Sequence, residues 1–217
     1  MNYSIYGNYV IYLINCAFSG TVPSYVPEET DIDKLFAFAK EHGVEAIVYD
    51  ALKRMPEYSP SDLQKFDLRN KQLIAIDTMQ QYYLDKISEQ LEQEHIRFLV
   101  LKGFVIKKIY PYPHWRQAGD IDIYVDDSDT EKVKEIMERL GFAVERFNHL
   151  VQDDAYSCRN FVHVEVHRKL ISNKCPWDEY CQSIADRLRV KKGFTYRLEM
   201  SPEDYYFYMI GHMAKHM

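Results

Sequence analysis

The sequence predicts an α+β fold, in which a small mixed β-sheet is flanked by N-terminal and C-terminal helices. Apolar residues recur at helical spacing through residues 1–95, and short apolar runs typical of strands replace that pattern over 96–170. Helical spacing returns over 171–217. We therefore expect a helical N-terminal region, an α/β core and a C-terminal helical region with these bounds.

Three helices are predicted in the N-terminal region. The first spans residues 3–17, and the prolines of segment 21–30 indicate a loop after it. Asp31 is a suitable N-cap for a second helix over 32–54. Two further prolines interrupt the chain, and a long third helix then covers 61–95, with apolar residues near the helical period.

The core elements follow from shorter patterns. An apolar run ends at Lys102-Gly103, as expected of a buried strand, and Gly141 is a suitable C-cap for an amphipathic helix. The predicted elements are a strand at 97–101, a helix at 104–110, a strand at 120–125, a helix at 129–140, strands at 142–147 and 161–167, and helices at 178–188 and 202–217.

Composition limits the classes of protein to consider. The 217 residues suffice for one large domain or two small ones, and the 47% hydrophobic fraction supports a proper core. A net charge of −6 does not draw the protein to nucleic acid or to an anionic membrane, although local basic groups can still bind a nucleotide.

Cysteine usage and the N-terminal segment bear on location. The four cysteines form no CxxC pair, which argues against a structural zinc site; they are Cys16, Cys158, Cys175 and Cys181. Segment 1–18 lacks the basic start of a secretory signal, and no apolar run is long enough to span a bilayer. We expect a cytoplasmic protein with reduced thiols and no membrane partner.

The predicted strand at 120–125 carries two acidic side chains on one face. Side chains alternate along a strand, so Asp120, Asp122 and Tyr124 point one way and the aliphatic residues between them point into a core. Carboxylates this close repel and raise each other's pKa, a cost that a divalent cation removes. The pattern indicates a metal site, although a pair of this kind on an exposed strand is more often a solvated face.

Glu165 supplies a third carboxylate. It lies on the polar face of the strand at 161–167, which alternates with valines. If this strand neighbours the one at 120–125, Glu165 comes near Asp120 and Asp122. Three oxygen donors favour Mg²⁺ or Mn²⁺ over Zn²⁺, and two such ions about 4 Å apart suit phosphoryl or nucleotidyl transfer.

A turn at Lys102-Gly103 adds a phosphate-binding element. Glycine lets the backbone approach a ligand closely, and the helix predicted after it presents N–H groups that attract phosphate. Lys102 and Arg116 carry the charge to neutralise a triphosphate. The alternatives are a surface lysine and an arginine paired with a nearby carboxylate.

Two pairs of histidines have less specific readings. His163 and His167 flank Glu165, but a zinc site there is disfavoured because side chains two apart on a strand diverge. We expect His167 to orient Glu165 or to contact the substrate. His212 and His216 are four apart on a predicted helix without the glutamate of a metalloprotease motif, so a structural role is favoured.

These residues resemble a known family. The matching segments are Lys102-Gly103, Tyr110-Pro111, Arg116, Gly119-Asp120-Ile121-Asp122 and Val164-Glu165-Val166-His167. They are similar to the uncharacterised bacterial nucleotidyltransferases of the DNA polymerase β-type superfamily. The resemblance covers about 96–170, with a weaker likeness at 212–216, and implies a nucleotidyltransferase core.

The resemblance also implies roles. Asp120 and Asp122 would bind both metals, and Glu165 would be the third carboxylate or the base. The superfamily's commoner Gly-Ser turn is replaced here by Gly103-Phe104, a departure that concerns the phosphate contact and not the metal pair. Family members usually continue beyond a His-x-x-Lys-His helix, so the end of this sequence at 217 suggests a truncated chain or a short relative.

The leading hypothesis is a Mg²⁺- or Mn²⁺-dependent nucleotidyltransferase. It would move an NMP from an NTP to an acceptor hydroxyl on a small molecule, a protein or an RNA end, with release of pyrophosphate. One alternative is a glycosyltransferase that uses Asp-x-Asp to hold a nucleotide-sugar. Another is a non-catalytic nucleotide-binding or protein-interaction module on the same fold. No motif identifies the acceptor, the base preference or the oligomeric state.

Overall fold

A computed structural model describes residues 3–28, 30–148, 153–159, 162–170, 180 and 183–214. It combines α-helices with a mixed β-sheet, which confirms the α+β prediction. The chain forms two compact units, a helical unit of Met1–Thr78 with Ile106–Gln117 and a sheet unit of Met79–Val105 with Ala118–Met217. The regions predicted at 1–95, 96–170 and 171–217 have boundaries that differ from those of the two units. They remain a prediction from the sequence pattern.

The helical unit contains the first helices of the chain. They are α1 (Tyr3–Ser19), α2 (Ile32–Glu41), α3 (Glu45–Leu52) and the first half of α4 (Gln64–Gln93), whose residues after Thr78 belong to the sheet unit. Apolar side chains of these helices and of Trp115 form one buried cluster. The segment predicted as a loop at 21–30 contains no helix or strand in its described residues.

The prediction of a single helix over 32–54 is wrong. α2 ends at Glu41 because Gly43 takes a left-handed φ of +65°. The Gly43 N–H donates to the carbonyl of Lys40 at 3.1 Å, and the Val44 N–H donates to that of Ala39 at 2.9 Å. This pair of bonds is a Schellman motif, which satisfies the last carbonyls of α2 and lets α3 start in a new direction.

The sheet unit contains seven strands among its described residues, in the order β3-β4-β5-β2-β1-β7-β6. They are β1 (Phe98–Val100), β2 (Asp120–Val125), β3 (Ala143–Arg146), β4 (Asp153–Cys158), β5 (Val162–His167), β6 (Arg189–Val190) and β7 (Arg197–Glu199). β2 pairs parallel with β5, and β1 pairs parallel with β7, while the other pairs are antiparallel. The four predicted strands correspond to β1, β2, β3 and β5.

Among the described residues, three further α-helices with defined bounds follow β1. They are α5 (Gly103–Ile106), α6 (Thr130–Arg139) and α7 (Pro202–Ala214). The helix predicted at 104–110 is shorter, since α5 passes into a 3₁₀ turn at Lys107–Ile109. Gly141 ends α6 with a φ of +83°, as predicted. Of the helix predicted at 178–188, residues 178, 179, 181 and 182 lie outside the described residues, and Ala185–Arg187 form a 3₁₀ turn. Cys175, Cys181 and His216 also lie outside the described residues.

The two faces of the sheet are covered differently. One face buries Ile121, Ile123 and the valines of β5 against apolar residues of α4 and α6. On the other face, Leu99 and Leu198 pack with Tyr208 of α7 in a smaller cluster. The second face is therefore apolar at β1 and β7 and polar at β2 and β5. Among the described residues, none of the helices has the length and hydrophobicity needed to cross a membrane.

Candidate functional site

β2 and β5 place the predicted acidic residues on one face of the sheet. In their parallel register Asp120 lies opposite His163, and Asp122 lies opposite Glu165. The aliphatic residues of both strands are buried on the reverse side. Alternation along a strand thus acts as predicted, because burying one face of each strand leaves the carboxylates on the other.

Asp122, Glu165 and His167 form the centre of this face. Their candidate ligand atoms all lie within 4.8 Å of one another. The Nε2 atom of His167 is 2.8 Å from Asp122 Oδ1 and 3.6 Å from Glu165 Oε2. Asp120 stands two residues before Asp122 on the same face and is half-buried. His163 does not join them, and its Nδ1 lies 3.8 Å from a carboxylate oxygen of Glu145.

Lys102 brings a positive charge into the centre. Its Nζ donates to Asp122 Oδ1 at 2.6 Å and lies 3.5 Å from His167 Nε2. The side chains of Lys102 and Asp122 are only 17% and 9% exposed, so water screens this ion pair weakly. The sequence predicted Lys102 as a phosphate ligand. Its partner in the structure is the carboxylate of Asp122.

The turn that carries Lys102 has an unusual backbone. Lys102 has a left-handed φ of +44°, a backbone conformation that residues other than glycine seldom adopt. At the next position a Cβ on Gly103 would lie 3.0 Å from the Cβ of Ala118, so a side chain there would require Ala118 to shift by a few tenths of an ångström. These two constraints fix the path of the chain from β1 into α5.

The pKa values of these two carboxyl groups are shifted in opposite directions. Burial alone would raise the pKa of Asp122, but hydrogen bonds and charge from His167 and Lys102 outweigh it and hold that pKa below its ordinary value. Burial raises the pKa of Glu165; the charge of His167 opposes this rise, and the charge of Asp122 adds to it. The site therefore has one carboxylate that stays ionised and one that holds a proton more readily.

α7 contributes two tyrosines that the sequence did not single out. The hydroxyl of Tyr205 donates to the main-chain carbonyl of Lys102 at 2.8 Å. Tyr208 is fully buried; burial and the charges of Asp122 and Glu165 raise its pKa well above the usual range. The available signal was the Ser-Pro-Glu-Asp sequence at 201–204, a helix-start pattern directly before these tyrosines.

The remaining predicted residues have contacts of their own. Arg116 belongs to the helical unit, where its guanidinium donates to the carbonyl of Gln117. The ring of His212 stacks on Tyr208 with centroids 6.4 Å apart, a packing contact in line with the structural role predicted for it. The phosphate-binding roles of Arg116 and Gly103 remain predictions.

Comparison with known families decides the broad class. Residues 28–217 match a family described as uncharacterised nucleotidyltransferase. The chain belongs to this family. The match includes all the residues of the candidate site, and it confirms the family that the sequence pattern suggested.

Other comparisons add little to this nucleotidyltransferase assignment. No curated protein matches the chain. One similar solved structure is the solution structure of the antibiotic-resistance factor ANT(2'')-Ia, with 12% sequence identity and a TM-score of 0.39, covering 64% of this chain and 85% of that one. A similarity at this level bears on neither the substrate nor the acceptor.

The donor set of the candidate site fits a divalent cation. Asp122 and Glu165 offer oxygen atoms, and His167 offers a nitrogen atom within the same small space. The ammonium group of Lys102 already places one positive charge beside the Asp122 carboxylate. Carboxylate oxygens suit Mg²⁺ and Mn²⁺, and an imidazole nitrogen is acceptable to Mn²⁺ and later transition metals.

Proposed function

We propose that this protein is a metal-dependent nucleotidyltransferase that moves an NMP from an NTP to an acceptor hydroxyl and releases pyrophosphate. The observation that carries the proposal is the register of β2 and β5, which sets Asp122 opposite Glu165 on a polar sheet face. Family membership supports the class of reaction. The acceptor is a small molecule, a protein side chain or an RNA end.

Asp120, Asp122 and Glu165 would hold Mg²⁺ or Mn²⁺. A metal ion held by these residues would supply positive charge that stabilises the attacking and leaving oxygens. The depressed pKa of Asp122 favours this role because its carboxylate is ionised throughout the neutral range. Asp120 shares the strand face and extends the acidic surface towards the start of β2.

Glu165 is the group best suited to accept the proton of the acceptor hydroxyl. In the metal-free protein its pKa is raised, so it binds a proton more readily than an ordinary glutamate, and its side chain is only partly buried. The acceptor oxygen then forms a bond to the α-phosphorus as the bond from that phosphorus to the bridging oxygen breaks. Pyrophosphate leaves with the electron pair, and Glu165 holds the proton.

Lys102 and Arg116 would neutralise the triphosphate, and Gly103 would let it approach the backbone. In addition, His167 fixes the orientation of the acidic pair, since its ring contacts Asp122 and lies close to Glu165. The tight packing of Gly103 against Ala118 keeps the turn in place while the ligand binds. These roles leave the base of the nucleotide to be selected by other parts of the chain.

The test is pyrophosphate release and transfer of label from α-³²P-labelled ATP, GTP, CTP and UTP in the presence of Mg²⁺ or Mn²⁺. Asp122→Asn and Asp120→Asn should abolish metal-dependent turnover. Glu138→Gln, which neutralises an exposed carboxylate on α6, serves as the matched control and should retain it. Equal turnover in Asp122→Asn and the unaltered protein would contradict the proposal.

The same assay separates the alternatives that the sequence left open. Turnover of a nucleotide-sugar in place of an NTP would indicate the Asp-x-Asp glycosyltransferase. Tight NTP binding without turnover, at every acceptor tried, would indicate a nucleotide-binding or protein-interaction module. Both outcomes would replace nucleotidyl transfer as the function of this site.

A further inference from the structure

We propose that the Lys102 ammonium group is the resident cation of the metal-free site, and that a divalent ion enters by displacing it and gains His167 as a nitrogen ligand. This inference rests on the proposed function, because it concerns the same acidic face. The inference goes beyond the proposed function by giving Lys102 a role in metal binding and by adding a nitrogen ligand to the carboxylates.

The contacts of Asp122 Oδ1 and the charge of Lys102 favour displacement. This oxygen accepts from Lys102 Nζ at 2.6 Å and lies 2.8 Å from His167 Nε2. A carboxylate oxygen has two lone pairs, so a metal ion that binds Oδ1 must displace a hydrogen-bond donor from it. At either oxygen of Asp122, a divalent charge beside the ammonium group would be strongly repelled in this poorly screened place.

Lys102 is the neighbour that can leave. Its side chain has four rotatable bonds, and its ammonium group has only donor hydrogens, so it has no lone pair to offer a metal. Its main chain stays in place because Tyr205 holds the carbonyl at 2.8 Å. The side chain can therefore move away from Asp122 towards the phosphate groups of an NTP without disturbing the turn.

His167 is the neighbour that stays. It lies on β5 directly after the valine that follows Glu165, and its Nε2 is within 3.6 Å of oxygen atoms of both carboxylates. In the metal-free protein Nε2 donates to Asp122. As a ligand it presents its lone pair, and the ring carries its hydrogen on Nδ1. One nitrogen with two carboxylates favours Mn²⁺ over Mg²⁺, which prefers oxygen ligands and bound water.

The first experiment measures binding of Mn²⁺ alone by the EPR signal of the free ion, in the full chain without nucleotide. Lys102→Met removes the competing charge, so it should bind Mn²⁺ about tenfold more tightly than the unaltered protein. This change in affinity corresponds to the free energy of one charged hydrogen bond. Lys191→Met is the matched control, since it deletes another lysine–carboxylate pair of the sheet unit, at 2.9 Å from Glu199. It should leave Mn²⁺ affinity unchanged.

A second variant controls for misfolding of Lys102→Met. Lys102→Gly also removes the ammonium group, and glycine adopts the φ of +44° without strain. Both variants should show tighter Mn²⁺ binding with an unaltered circular dichroism spectrum. Affinity equal to or weaker than that of the unaltered protein in Lys102→Gly overturns the displacement, and so does an absence of Mn²⁺ binding in every variant.

The second experiment addresses the nitrogen ligand. Pulsed EPR of bound Mn²⁺ should show coupling to a ¹⁴N nucleus in Lys102→Met, and His167→Ala in the same background should remove it. Mn²⁺ bound without that coupling overturns the assignment of His167. Neither experiment uses turnover, so a failure of the proposed function, seen as no pyrophosphate release from any NTP, is distinguished from a failure of this inference.

Discussion

The hydroxyl of Tyr205 donates a hydrogen bond to the main-chain carbonyl of Lys102 at 2.8 Å and thereby ties α7 to the turn that follows β1. The turn needs this support because Lys102 has a left-handed φ of +44°. A residue of the C-terminal helix thus sets the position of a side chain that contacts Asp122. We infer that Tyr205 is a positioning residue for the site.

Tyr205→Phe is expected to raise the KM for the NTP about threefold to tenfold, because a lost hydrogen bond of roughly 1 kcal/mol lets the Lys102 turn relax. kcat should change less. Steady-state kinetics would measure both, with Tyr206→Phe as the control, since the neighbouring Tyr206 is 64% exposed. An unchanged KM in Tyr205→Phe, with the fold intact, would show that the turn holds without this bond.

Glu165→Gln is expected to separate catalysis from stability. Loss of the base should lower kcat by about 100-fold or more. The folded metal-free protein should become more resistant to urea, because burial and the charge of Asp122 disfavour the ionised form of Glu165 and glutamine removes that charge. Initial rates at pH 7 measure the change in kcat, and urea unfolding midpoints at pH 7 measure the change in stability. Lower stability in Glu165→Gln would mean that its charge is needed to hold His167 or Lys102.

The outcome for these carboxylates shows what the sequence could and could not predict. Alternation alone put Asp122 and Glu165 on polar strand faces, since a face is a local property. The pairing of β2 with β5 and the contact from Tyr205 are long-range and carry no local signal. His163 and His167 were expected to diverge too far to form a zinc site with Glu165. His163 lies against Glu145, whereas the Nε2 of His167 comes within 3.6 Å of Glu165 Oε2, as the orienting role predicted for His167 requires. Sequence spacing does not specify such side-chain directions.

β4 was missed for a different reason. Its six residues, Asp153–Cys158, contain two aspartates and a serine, which are poor strand formers, so no strand pattern was visible. The fully buried Asp154 is tolerated there because Arg168, which follows β5, binds both of its carboxylate oxygens, at 2.6 and 2.8 Å. A tertiary ion pair thus decides the conformation of the segment, and only the folded chain reveals that pair.

The start of α7 is expected to make stability depend on pH. Arg187 hydrogen-bonds the carboxylate of Asp204 and, despite the opposing effect of burial, holds the pKa of this carboxyl below its usual range, with help from Ser201 and Tyr180. A carboxyl with a depressed pKa in the folded state stabilises the fold above its ordinary pKa near 4, and this contribution is lost as the pH falls through the folded-state pKa.

Asp204→Asn should therefore lower the free energy of unfolding at pH 6 and narrow the difference between pH 6 and pH 3. Urea unfolding at the two pH values measures both effects. Ser201→Ala, which removes the hydroxyl that accepts from the Asp204 N–H at 3.1 Å, should cost about 1 kcal/mol at pH 6. It should leave most of the pH dependence in place. An equal pH dependence in Asp204→Asn and the unaltered protein would assign that dependence to other groups.

Arg168 is expected to be the costliest single charge to remove from the sheet unit. Its guanidinium also donates to Asp127 at 2.6 Å and to the hydroxyl of Thr130 at 2.9 Å, so it joins the end of β5 to β4 and to the start of α6. Arg168→Met would leave the fully buried Asp154 without its charged partner, with the Asn148 N–H at 3.2 Å as a remaining donor, which should cost about 3 kcal/mol or more of unfolding free energy.

Urea unfolding measures this loss, and Arg146→Met provides the matched comparison. Arg146 pairs with Asp153 at the neighbouring position of β4, but its side chain is 46% exposed, so its removal should cost less than about 1 kcal/mol. Because His167 directly precedes Arg168, the costly variant should also weaken Mn²⁺ binding, whereas Arg146→Met should not. A loss of equal size in the two variants would show that burial of Asp154 does not set the energy of this network.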